Sequence, residues 1–286
     1  MTYLTYASPL PPAPPLRRID AAAADSQPAS GDCAWEQMRG LAQRLAAREP
    51  LLRPMLDELI LPHDSPAGLL AAVLAQRLGA RDMRPAVLRP LFEDILSTQP
   101  PILASIAADL AAIAQRDPAC PDALHALLNL KGFHALQTYR MAHHLWTEGR
   151  SEAAYSLSSH AASVFGIDIH PAARIGAGIM LDHGSGIVIG ETAVVDDNVS
   201  ILQNVTLGGT GKEHGDRHPK IRSGVMLGAG AKILGNIEIG AMSKVAAGSV
   251  VLRDVPAHCT VAGIPGRIVR YHQADSLPAF EMDQML

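Results

Sequence analysis

The chain is poor in cysteine, has no excess of basic charge and carries no long uninterrupted apolar run. Its three cysteines, Cys33, Cys120 and Cys259, are odd in number, scattered and free of any Cys-x-x-Cys spacing. They build neither a disulfide framework nor a zinc site, and a reducing cytoplasm is the simplest home. Apolar residues make up 48% of the 286, yet every stretch of about 18 contains charges or helix breakers, so no membrane span is expected. A formal net charge of −4 and a pI near 6.3 argue against general nucleic-acid binding, which needs a basic face. The N-terminus lacks the basic-then-apolar order of a secretory signal. Pro9, Pro11, Pro12, Pro14 and Pro15 precede Arg17 and Arg18, while Asp20 and Asp25 count against a transit peptide. Residues 1–31 therefore read as a disordered Pro/Ala-rich extension.

What is present divides into two patterns. Over 32–165, apolar residues recur at three- and four-residue steps: Leu41, Leu45, Leu52, Leu56 and Leu59, then Leu69 to Leu78, Val87 to Leu96 and Ile102 to Ile113. Ala123 to Glu148 is the longest such run without a proline, and this half reads as helical. After Gly166 the period becomes six. Ile169, Ile175, Leu181, Ile187, Ala193, Val199 and Val205 form one ladder, and Ile221, Leu227, Ile233, Ile239, Val245 and Val251 form a second. All 13 positions are apolar, which in a fixed register has a chance probability of about 10⁻⁴ at this composition.

Short extended pieces that turn a corner every six residues build a parallel β-helix, each coil burying its aliphatics against the next. Gly176, Gly228 and Gly240 follow ladder aliphatics, and Asp196, Asp197, Asn198, Asn204 and Asn236 stand at other corners, which such residues tolerate. The expected fold is α+β and multidomain: an all-α helical half, then a left-handed parallel β-helix over 166–270, then a flexible tail over 271–286. Val205 to Ile221 spans 16 residues where six would continue the ladder, so ten leave the prism as a glycine-rich, charged loop from Gly208 to Pro219. A loop ejected from a rigid scaffold is a common place for function; a solvated insertion is the alternative.

Several segments resemble the bacterial serine acetyltransferases: Arg116-Asp117-Pro118-Ala119, Leu130 to Ala135, Asp168 to Ala173, Gly178 to His183, Gly208 to Arg222 and Ala262 to Arg267. The hexad ladder alone is shared with many acyltransferases, sugar acetyltransferases among them. Leu181-Asp182-His183 together with Gly215-Asp216-Arg217-His218-Pro219-Lys220 is more specific. The resemblance implies transfer of acetyl from acetyl-CoA, a co-substrate and not a tightly bound cofactor, to the hydroxyl of L-serine, the first step from serine to cysteine.

It places His183 as general base. Acyl transfer to an alcohol needs the hydroxyl proton removed as the oxygen attacks, and a neutral imidazole suits that near pH 7. On the residues alone, a corner histidine bonding a loop is an equal reading. Asp168 is implied as the partner of His183. The two lie 15 residues apart, three short of a coil of three hexads, and a carboxylate there fixes the imidazole tautomer. An Asp before a turn also commonly caps backbone amides. Asp117 and Asp182 are implied for the serine ammonium and Arg217 for its carboxylate, which it can grip bidentately. His218 would orient the hydroxyl or act as a second base. A helix cap near Pro118 is the alternative reading of Asp117.

Small residues on one ledge of the coils, Gly209, Gly228, Ala229, Ala246 and Ala247, would let the pantetheine arm of acetyl-CoA approach the backbone. Lys244 and Arg253 are candidate phosphate partners. A zinc reading on His170, His183, His214 and His218 is disfavoured, since His214 and His218 sit on a loop and no carbonic anhydrase motif surrounds them. The resemblance further implies homotrimers or dimers of trimers, feedback inhibition by cysteine, and a C-terminal tail that engages O-acetylserine sulfhydrylase. Here the tail ends in Leu286, where relatives end in Ile. An idle scaffold descended from such an enzyme is the competing class, opposed by intact Asp168, Asp182, His183, Arg217 and His218.

Overall fold

The structure is a computed structural model that describes residues 31–211, 214–273 and 275–285. The proposed N-terminal extension, apart from Gly31, and the terminal Leu286 lie outside these residues. Among the described residues eight helices come first: α1 Gly31–Arg48, α2 Arg53–Leu59, α3 Pro66–Leu78, α4 Pro85–Thr98, α5 Pro100–Arg116, α6 Ala123–Asn129, α7 Lys131–Thr147 and α8 Ser151–Phe165. Proline opens α3, α4 and α5, where its fixed φ suits the first helical position and no N–H is required. Ser65 caps α3 by accepting from Gly68 N–H at 3.1 Å, and Asp122 caps α6 by accepting from His125 N–H at 2.8 Å.

The long proline-free run is two helices, not one. Leu130 is extended (φ −90°, ψ 104°) between α6 and α7. The break brings Gly132 against the coils, where a Cβ would lie 2.1 Å from the Leu181 carbonyl oxygen. Tertiary docking here overrides a pattern that is helical on both sides, and only glycine permits it.

The second half coils. Fifteen strands follow among the described residues. They are β1 Asp168–Ile169, β2 Arg174–Ile175, β3 Met180–Leu181, β4 Val188–Ile189, β5 Val194–Val195, β6 Ser200–Ile201, β7 Thr206–Gly208, β8 Lys220–Ile221, β9 Met226–Leu227, β10 Lys232–Leu234, β11 Glu238–Ile239, β12 Lys244–Val245, β13 Val250–Val251, β14 Cys259–Gly263 and β15 Gly266–Tyr271. They form three sheets: β1-β4-β7-β10-β13, β2-β5-β8-β11, and β3-β6-β9-β12-β14-β15. All pairings are parallel except the closing β14–β15 hairpin. The result is a left-handed β-helix of about five coils, its axis filled by Ile169, Ile189, Leu207, Ile233 and their counterparts.

The ladder read from sequence slips within this fold. Asp168 pairs with Val188, twenty residues on, whereas Val188 pairs with Thr206, eighteen on. The first coil is thus two residues longer, and the extra pair lies in the corner after β3. Beyond it the strand positions are Ile189, Val195, Ile201 and Leu207, each two past a ladder residue. Ile187, Ala193, Val199 and Val205 are nonetheless buried, because alternate residues of an extended piece face the same way. The loop excursion shrinks accordingly: Thr206 pairs with Lys232, twenty-six on, so eight residues beyond a full coil leave the prism, not ten.

The halves are joined by buried polar contacts. Asp109 of α5, fully buried, accepts from Arg140 Nη2 at 2.7 Å, Arg140 Nε at 3.1 Å, Gln137 Nε2 at 3.1 Å and Ile179 N–H at 2.9 Å. Arg140 of α7 also donates to Gly176 O at 2.7 Å. No described helix is long and apolar enough to cross a membrane. The C-terminal segment, expected to be flexible, packs as a strap. A last helix, α9 Pro278–Glu281, lies against α5, and Lys244 Nζ donates to the carbonyls of Asp283 and Met285.

His134 of α7 is buried between Phe133 and Phe165 and bonds the Leu127 carbonyl through Nε2 at 2.6 Å. Burial pulls its pKa from 6.5 down to about 4. The fold therefore holds the neutral ring. Its contribution is complete above pH 6.5 and is lost as pH falls from 6.5 towards 4, about 3 kcal/mol over that window. Urea unfolding of wild type and His134→Leu at pH 7 and 4.5 should show the wild type losing about 2 kcal/mol more than the variant. Parallel losses would remove His134 as the cause.

Candidate functional site

The three sheets meet along three edges of a prism, and the functional candidates fall on two of them. The edge where the third sheet hands over to the first is built from residues 182–187, 202–205, 228–231 and 246–249. Backbone bonds stack these corners: Asn204 N–H to Ser185 O (2.7 Å), Gly230 N–H to Gln203 O (2.9 Å) and Gly248 N–H to Ala229 O (2.8 Å). Gly228, Ala229, Ala246 and Ala247 thus share one ledge. At Gly228 a Cβ would sit 2.6 Å from Ala247 N, so the ledge's tight stacking requires glycine there. Gly209 does not join them. It stands at a different edge, where a Cβ would touch Arg217 Cγ and O at 3.5 Å.

The widened corner at the foot of the ledge carries His183. Its backbone is left-handed (φ 55°), its side chain is 77% exposed, and its imidazole makes no hydrogen bond among the described residues. The nearest carboxylate oxygen is Asp182 Oδ1, 3.8 Å from Nε2. Asp168 is exposed on β1 and makes no hydrogen bond or ion pair to His183 among the described residues, so the spacing argument does not deliver that contact. The longer first coil changes the offset on which it rested.

Asp117 ends α5 and faces His183 across a cleft of about 550 Å³, lined also by Leu130, Lys131, Gly132 and Asp182. Its Oδ1 accepts from Ala119 N–H at 2.8 Å, the local turn role, while the residue remains part of the cleft wall. Lys131 Nζ bonds Ser185 Oγ, tying the start of α7 to the same corner. Burial raises the pKa of the Asp182 carboxyl; His183 opposes this and Asp117 adds to it. Two carboxylates on one cleft, one of them resisting ionisation, form a site that gains from a bound cation.

A second group stands on the edge between the first and second sheets. Thr192 Oγ1 accepts from the backbone N–H of Arg217 (3.0 Å) and of His218 (3.1 Å), pinning the ejected loop. Arg217 Nη2 meets Glu191 Oε2 at 2.6 Å, and the bond to Arg217 holds the Glu191 carboxyl below its ordinary range. His218 is buried. Its Nδ1 accepts from Thr192 N–H at 3.2 Å and from Thr192 Oγ1 at 2.9 Å. A backbone N–H can only donate, so the neutral ring carries its proton on Nε2. Burial, and then the Arg217 charge, lower the His218 pKa and favour that neutral form. This favours a donor that orients substrate over a second base.

Glu191 and Thr192 were not singled out by the sequence. The register Val194↔Lys220 places Thr192 opposite His218, but that register requires the loop length to be known. His170, counted only as a zinc candidate, stands edge-on to Trp146 and Tyr155 beside this group. Lys244 is buried under the C-terminal strap, whereas Arg253 is exposed. Within one chain no hydrogen bond or ion pair joins the His183 group to the Arg217 group among the described residues.

Residues 34–138 match the family described as serine acetyltransferase, N-terminal. A serine acetyltransferase of Salmonella typhimurium is 51% identical over 250 residues, covering 87% of this chain and 91% of that one. A solved serine acetyltransferase in complex with cysteine superposes with a TM-score of 0.87 at 48% identity, covering 90% of this chain and 100% of the other. One from Brucella abortus strain S19 in complex with coenzyme A gives 0.83 at 49% identity, covering 84% and 96%. The helical half, the coils and these similarities agree: the chain belongs to the serine acetyltransferase family.

Proposed function

We propose that the chain transfers acetyl from acetyl-CoA to the L-serine hydroxyl, with His183 as general base. The observation that carries this is the meeting of Asp117, Asp182 and His183 in one cleft at the foot of a small-residue ledge. The carboxylates receive the serine ammonium. His183 takes the hydroxyl proton as the oxygen attacks the thioester carbonyl. Collapse of the tetrahedral intermediate breaks the C–S bond, and the imidazolium returns the proton to the departing CoA thiolate. The pantetheine arm lies along Gly228, Ala229, Ala246 and Ala247.

Arg217 and the Nε2–H of His218 suit the serine carboxylate, but they stand on another edge. A second copy, rotated about a symmetry axis, would present that edge to the cleft, so we assign each site to two subunits. Cysteine carries the same ammonium and carboxylate and would compete there, consistent with the cysteine complex of the related protein. Engagement of O-acetylserine sulfhydrylase by the tail would require Asp283 and Met285 to leave Lys244.

The test is complementation. His183→Ala and Arg217→Ala proteins, each inactive alone, are co-expressed in equal amounts and the whole randomly assembled pool is assayed. Random mixing should restore about one quarter of wild-type CoA release, because one site in four then draws both intact edges. Mixed oligomers no more active than either parent would place the whole site within one chain.

A further inference from the structure

The C-terminal strap crosses the outer face of the third sheet and reaches the end of α5, one residue from Asp117. Ser200, on the outward side of β6, is fully buried beneath it and donates from Oγ to Ala279 O at 2.8 Å. The same Oγ accepts from Arg116 Nη1 at 3.1 Å, and Arg116 Nη2 donates to Asn198 Oδ1 at 3.3 Å. Arg116 is 4% exposed, and its guanidinium forms no ion pair among the described residues and has its carbon 4.3 Å from the centroid of the Phe280 ring. Its Nε finds no acceptor, and burial draws the group down to about 10. Arg116 is thus a buried cation held by one hydroxyl, one amide and one aromatic face. Two of these three come from the strap or directly bond it.

We propose that Phe280 is a positioning residue for the substrate cleft: its ring fixes Arg116, and Arg116 fixes the α5 terminus from which Asp117 faces the substrate ammonium. The inference rests on the proposed role of Asp117. Arg116 and Asp117 are successive residues, and Asp117 N–H still bonds Ile113 O at 2.9 Å, so the last turn of α5 carries both side chains together. A face-on cation and ring in a desolvated setting is among the stronger forms of this contact. Losing it leaves the buried guanidinium to seek water, and the turn frays towards the cleft. Phe280 does not line the cleft that holds Asp117, Asp182 and His183, so the chemical step itself is untouched.

The experiment uses the full-length Phe280→Ala protein, with Phe280→Tyr as the variant that keeps the ring. In Phe280→Ala, KM for serine should rise roughly five- to tenfold, with kcat and KM for acetyl-CoA within about twofold of wild type, and Phe280→Tyr should restore the wild-type value. In substrate-free protein, amide hydrogen exchange over 113–120 should accelerate in Phe280→Ala and not in Phe280→Tyr. That measurement needs no turnover, so it stands even if the assignment of serine fails. Unchanged exchange over 113–120 would overturn the proposal, as would accelerated exchange with an unchanged serine KM. A uniform loss in kcat and both KM values, with a lowered thermal midpoint, would also overturn it by making Phe280 merely structural.

Discussion

His183→Asn is expected to lower kcat by about 10²–10⁴-fold, the range for losing a positioned general base, while the thermal midpoint stays within about 2 °C. The side chain is 77% exposed and makes no hydrogen bond among the described residues, so its removal strips no structural contact. Asparagine is the informative replacement because His183 is left-handed at φ 55°. Asn tolerates that region, whereas Ala adds about 1 kcal/mol of backbone strain and would blur a chemical loss with a local distortion. Steady-state CoA release with serine and acetyl-CoA reads the effect. KM for serine should move little, since Asp117 and Asp182 remain to hold the ammonium. A wild-type kcat in His183→Asn would remove His183 from the mechanism. A fall confined to KM would recast it as a binding residue.

The same corner shows what the sequence can and cannot disclose. The six-residue period names the β-helix because each coil repeats one burial requirement, and Ile169, Ile175 and Leu181 sit in the strand positions it implies. It passes over the two-residue widening at 182–186 because Ile187 and Ile189 are both apolar and both inward. Yet that widening is what sets the histidine outward on its own corner. The helical half is legible in period, but the break at Leu130 is not, since the need for it comes from Leu181 across the interface. The cleft residues Asp117, Asp182 and His183 are recognised by motif and are brought together by the fold. Glu191 and Thr192 carry no local signal at all. Their role follows only from a twenty-six-residue coil that stacks them under Arg217 and His218.

The joint between the halves should be where substitution harms the fold most. Asp109→Ala leaves the Arg140 guanidinium, 7% exposed, without its carboxylate and leaves Ile179 N–H and Gln137 Nε2 without their acceptor. Stranding a buried charge costs about 3–5 kcal/mol, on the order of 10 °C in thermal midpoint for a chain of this size. Asp109→Asn, which keeps an acceptor for Ile179 but loses the charge, should fall between. The pair need not be favourable against apolar packing, because its attraction must first repay the desolvation of both ions. Asp109→Leu with Arg140→Met should therefore recover at least half of the stability that Asp109→Ala loses. It should not recover serine affinity to the same degree. Asp109 binds α5, which ends at Asp117, to the residue just before β3, which leads into Asp182. Melting curves and serine KM, measured on all four proteins, separate the two roles. A double variant as unstable as Asp109→Ala would mean that packing, not the stranded charge, sets the cost. One that is stable with wild-type serine KM would mean the ion pair has no part in aligning the two carboxylates.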